Sequence, residues 1–202
     1  MRCTALATLL VSATLLCVVA PNAARAQQAG DWGLDPDALL ATGSDLLRQV
    51  PAAQMDGLFQ AMHAAMQDEH QAQLLCGVFD PDADRSLQGL GAVAAKLGPG
   101  TRQQFASAIA DALVAALQSP VQPFDVTQAR QSLKAAGVTS ALLHDGFVAG
   151  LNGSGSDPAS RQARCRSLRW LLDAMQSRSS DERAAMTRLL LEQGLNRLDP
   201  AG

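Results

Sequence analysis

Residues 101–119 read TRQQFASAIADALVAALQS, and this stretch decides the fold class. Phe105, Ile109, Ala112, Leu113, Ala116 and Leu117 recur at the i, i+4, i+7, i+8 spacing of one apolar helix face. The apolar/polar alternation of a half-buried strand is missing. Thr101 and Gln104 have the spacing of a capping box, and Pro120 follows as a stop. The expectation is an amphipathic helix over 102–118 whose large aliphatic residues face a core.

Similar periods run along the rest of the chain. They predict helices at about 36–49, 54–78, 81–97, 126–136, 139–151, 158–176 and 181–198, the second open to a break near 67–69. Asp125 with Gln128, and Ser179 with Glu182, are spaced as capping boxes, while Gly98-Pro99, Gly137 and Asn152-Gly153 are expected breakers. The chain has no tyrosine and few β-branched residues, so strand signals are weak. The fold class expected is all-α: one domain of seven or eight helices, as a bundle or a superhelical array of hairpins, with a core of Leu, Ala, Met and a few Phe. The tetrapeptide DPDA occurs at 35–38 and 80–83, and its sparse flanking similarity favours a shared helix-start device over a duplicated repeat.

The first 26 residues, MRCTALATLLVSATLLCVVAPNAARA, carry one early arginine, an apolar run of 18 residues over 3–20 and an Ala24-Arg25-Ala26 ending. That is the layout of a cleaved secretory signal peptide. A periplasmic or secreted location is therefore expected, with no stable membrane span after cleavage. Beyond it the expected organisation is a flexible segment at 27–34 containing Trp32, a helical core at 35–151, a linker NGSGSD at 152–157, and a C-terminal hairpin at 158–202 packed on the core.

Cleavage would leave two cysteines, Cys76 and Cys165, and in an oxidising compartment a lone pair is expected to form a disulfide. Charge is uneven along the same chain. Residues 27–84 hold ten acids against one base, Arg48, a local charge of −9, while residues 85–202 hold nine acids and thirteen bases, a local charge of +4. A uniformly basic nucleic-acid binder does not look like this.

The segment FDPDADRSLQGL at 79–90 places Asp80, Asp82 and Asp84 at alternate positions, as a calcium loop begins. Such a loop needs glycine at position 6 and glutamate at position 12. Here those positions hold Arg85 and Gly91. The expected role of Asp80 is instead to cap a helix with Pro81 at its first position, Asp82 and Asp84 lying in the first turn. A Cys76–Cys165 bond would bring this acidic turn towards RQARCRSLRW at 161–170. Arg164, Arg166 or Arg169 is then expected to pair with Asp80, Asp82 or Asp84, and Arg161 to Arg169 form a candidate patch for an acidic partner.

Metal and catalytic candidates are thin. In MDGLFQAMHAAMQDEH at 55–70, Met62, His63, Met66 and His70 include soft ligands suited to copper, but a Met and Phe stripe at helical spacing is the ordinary signature of a core. GSGSD is not a G-x-S-x-G elbow, and His144 and Asp145 are sequence neighbours that do not face each other on a helix. No phosphate-binding glycine loop or dinucleotide fingerprint is present. The function expected is a non-catalytic exported module that binds a protein or an apolar ligand, with no cofactor. The alternatives are an exported hydrolase assembling His63, His70, His144, Glu69 and Asp145 in space, and a periplasmic copper binder.

Overall fold

A computed structural model describes the backbone of residues 36–195, with side chains from Thr42 onward except that of Leu87. Within these residues the chain forms α1 (Pro36–Gln49), α2 (Ala52–Gln67), α3 (Glu69–Cys76), α4 (Leu87–Lys96), α5 (Pro99–Gln118), α6 (Val126–Leu143), α7 (Phe147–Leu151), α8 (Pro158–Gln176) and α9 (Ser180–Leu195), with a 3-10 turn at Gly77–Phe79. No strand occurs among the described residues. The leader over 1–26, the segment 27–34 with Trp32, the Asp35 start and the expected helical residues 196–198 lie outside them.

Helix starts follow from short polar side chains that satisfy otherwise orphaned backbone amides. Asp125 accepts from the Thr127 and Gln128 amides at 2.8 and 3.0 Å, and Asp157 from the Ser160 amide at 3.0 Å ahead of Pro158. Ser179 and Glu182 complete a reciprocal capping box for α9, each amide bound by the other side chain at 3.3 Å. Asp68 divides α2 from α3 by accepting from the Gln71 amide at 2.9 Å.

Three boundaries depart from the sequence reading. α4 starts after Ser86, whose hydroxyl accepts from the Gly89 amide at 3.1 Å, so Asp80-Pro81 begins no helix and the DPDA tetrapeptide is no general start device. α6 continues through Gly137, since one glycine costs a helix only about 1 kcal/mol and Ala129, Ala136 and Ser140 hold its face in the core. The break comes instead at Gly146, at φ 82°. α5 starts at Pro99 rather than after Thr101, because proline is well suited to the first helical positions.

The C-terminal helices are central to the packing. α9 lies against α2, α6 and α1, and α8 against α7, α6, α3 and α2. Met55, Phe59, Met175 and Met186 are fully buried and Met66 nearly so, packed among leucines and alanines in one compact unit. The Met and Phe stripe of α2 is thus core. Arg188 of α9 is also buried, its guanidinium donating to the carbonyls of Leu47 and Val50 at the end of α1. Cations are favoured at such helix ends.

α5 presents the other departure. It packs on α2 and α1 through Ala112 and Ala116, while Ile109, Leu113 and Leu117 are 48, 44 and 75% exposed. Alanine and leucine occupy adjacent stripes of this helix, about 100° apart, and periodicity alone does not say which turns inward. The alanine stripe allows a closer approach to α2, and the large aliphatics remain on the outer side.

Candidate functional site: a cleft beside the disulfide

α2 and α3 run antiparallel to α8 and are fastened to it by successive cross-links. The Gln60 and Gln176 amides exchange bonds at 3.1 and 3.2 Å, and His63 bonds Asp173 at 2.9 Å. Cys76 and Cys165 form a disulfide with Cα atoms 5.2 Å apart. Beyond it, Arg164 donates to Asp80 at 2.5 Å.

The arginines of α8 separate into distinct tasks. Arg164 is buried, and besides Asp80 it donates to the carbonyls of Gly153 at 2.8 Å and Gly155 at 3.2 Å, so one guanidinium ties the 152–157 segment, the acidic turn and α8 together. Arg161, at the surface, reaches Asp80 at 3.2 Å and Asp82 at 3.1 Å. Asp84 accepts instead from the Ser86 amide at 2.9 Å, and the Ser86 hydroxyl and amide hold its carboxyl below the usual range. Arg166 lies over Trp170 at 5.6 Å, and Trp170 stacks on His144 at 4.4 Å. Among the described residues, Arg166, Arg169 and Lys96 have no carboxylate within ion-pair distance.

Between α3, α4 and α8 lies a cleft of about 840 Å³. Each helix lines it with one stripe: Glu69, Ala72, Gln73 and Cys76 from α3; Gly89, Ala92, Val93 and Lys96 from α4; Arg161, Gln162, Cys165, Arg166 and Arg169 from α8. These positions recur at three- and four-residue intervals, as one face of a helix requires. Leu74 and Val78 add apolar surface. α4 itself buries none of its described side chains, and its main packing contact is α3. Gly89 permits the close turn before it, because a Cβ there would fall 2.4 Å from the Asp84 carboxyl carbon and its backbone oxygen. A shallower groove of about 380 Å³ lies between α2 and α5.

The other candidates do not converge. Met66 is buried and Met62 half-buried in the cluster beside the disulfide, His63 is held by Asp173, and His70 is exposed. Glu69 and Asp145 are also exposed, while His144 is occupied by its stack on Trp170. Among the described residues no three His, Cys, Asp or Glu side chains gather as a metal site.

Sequence reasoning missed four contributing residues. Asp56 and Arg183 form a two-pronged pair at 2.7 and 3.0 Å between α2 and α9, and Arg183 also donates to the Arg178 carbonyl at 2.6 Å. Arg188 leaves no sequence signal that separates it from a surface arginine. Lys96 was legible only as the last member of the Gly89, Ala92, Val93 stripe. No family model matches this chain, and no curated protein or solved structure shows significant similarity to it.

Proposed function

We propose that the chain is an exported, non-catalytic binding module that holds an apolar ligand in the cleft between α3, α4 and α8. One observation carries this reading: α4, rich in glycine, alanine and aliphatic residues, faces the gap with Ala92 and Val93, and α3 lines it with Ala72, Leu74 and Cys76. Its volume of about 840 Å³ lies within the range of small-molecule sites. The disulfide fits an oxidising compartment and so accords with the leader-like first 26 residues. Among the described residues no helix is long and apolar enough to cross a membrane.

A neutral fluorescent probe, 1-aminoanthracene, tests the reading on the purified chain. Saturation at one probe per chain is expected, with loss of that binding in Val93→Trp, which fills the cleft from the α4 side. Unsaturable binding, or binding that Val93→Trp leaves intact in a folded protein, would refute it.

A second reading rests on the outer face of α5. Ile109, Leu113 and Leu117, at i, i+4, i+8 on α5 and flanked by Val114 at 56% and Val121 at 65% exposure, make an exposed apolar row. Rows of this kind suit an amphipathic partner helix. Leu113→Glu with Leu117→Glu should then abolish complex formation in the native compartment while leaving probe binding in the cleft unchanged.

A further inference from the structure

The two ends of the cleft differ in charge, and the difference specifies a ligand. Gly98 donates its amide to the Gln71 side chain at 2.8 Å, which seats the C-terminal end of α4 against the first turns of α3. α3 runs antiparallel to α8, with Cys76 joined to Cys165 and, one step further, Asp80 joined to Arg164. Lys96 and Arg169 therefore lie towards one end with Glu69, and Arg166 follows Cys165 on the same side of the disulfide, whereas Asp80 and Asp82 already neutralise Arg161 at the other end, where Asp84 also lines the cleft.

Building on the binding reading above, we infer that the cleft takes a single-chain carboxylate, its head at Arg166, Arg169 and Lys96 and its chain running past Val93, Ala92 and the disulfide towards Arg161. Three cations against one acid leave surplus positive charge where the head would sit. Arg169 is half-buried without an ion-pair partner, and a planar guanidinium grips a carboxylate with two parallel hydrogen bonds. The paired end offers no such surplus, which sets the direction of the chain. At 1.5 Å per helical residue, Arg161 to Arg169 spans about 12 Å, suited to an alkyl chain of about ten carbons.

Calorimetric titration of the purified chain with decanoate and with 1-decanol at low salt separates this inference from the reading beneath it. Decanoate is expected to saturate at one per chain and to bind at least about tenfold more tightly than 1-decanol, a margin that shrinks as salt screens the head. The double variant R166Q/R169Q should remove the margin, bringing decanoate to the affinity of 1-decanol in the same variant, while Glu69→Gln should tighten decanoate by a few fold. Circular dichroism verifies that each variant is folded. Equal affinities for the two ligands, or a margin that survives in R166Q/R169Q, would overturn the carboxylate assignment and spare the apolar site. Failure of both ligands to bind would remove the site itself.

Discussion

Asp80 shows how one side chain acquires a role that its local sequence does not announce. The Asp80-Pro81 pair resembles a helix start, yet the carboxylate is drawn to Arg164 and Arg161 across the chain, and the helix waits for Ser86. The two arginines predict different costs. Arg164 is 7% exposed and serves a carboxylate and two carbonyls, so Arg164→Ala should destabilise the fold by about 2–4 kcal/mol. Arg161, at 46% exposure, pairs at the surface, and Arg161→Ala should cost no more than about 1 kcal/mol. Urea titrations with equal slopes would measure both, and similar losses would contradict this division. Acid sensitivity has an equally local origin. The Ser160 hydroxyl and amide hold Asp157 below the usual carboxylate range, and the Ser179 amide and hydroxyl do the same for Glu182. Because these values are lowered in the fold, their stabilisation is complete above the unfolded value of about 4 and is lost as pH falls through the folded values. Thermal melts should therefore weaken below about pH 4, and Asp157→Asn, which caps without titrating, should weaken less steeply over the same window.

At the scale of the helix, two glycines predict opposite outcomes. Gly137 lies inside α6, and a Cβ added there would meet nothing within 4 Å, so Gly137→Ala should raise stability by about 0.5–1 kcal/mol. Gly150 of α7 meets α8, where an added Cβ would fall 2.3 Å from the Ser167 hydroxyl and 2.6 Å from the Ala163 carbonyl. Gly150→Ala should therefore cost about 1–3 kcal/mol by forcing the two helices apart. Paired thermal melts test both signs. Helix existence was legible because the apolar period is local, and the ends of α1 and α8 coincide with the sequence reading for the same reason. Which stripe turns inward was not legible. α5 has alanine and leucine side by side, and the choice between them is made by α2, a neighbour that local periodicity cannot see.

Across the whole molecule, the uneven charge of the sequence is the trace of its topology. Acids before residue 85 meet arginines after residue 160: Asp56 with Arg183, Asp80 with Arg164, and Asp82 with Arg161. The two cysteines marked this apposition, but the cleft beside them requires α4 to stand off α8, a tertiary relation carried by no motif. The disulfide spans 89 positions, and the chain-entropy account assigns such a loop about 4–5 kcal/mol, a large part of an ordinary stability of about 5–15 kcal/mol. The noncovalent cross-links on either side, Gln60 with Gln176, His63 with Asp173 and Asp80 with Arg164, involve no sulfur and should persist when the disulfide is reduced. They order the folded chain and do nothing to restrict the unfolded one, so they offer no substitute for the covalent bond. Reduction, and equally the double variant Cys76→Ser/Cys165→Ser, should thus lower stability by about 3–4 kcal/mol in urea while far-ultraviolet circular dichroism of the folded state stays the same. A loss below about 1 kcal/mol would mean that the polar cross-links alone hold α3 on α8, and that restriction of the unfolded chain has little part in the stability of this fold.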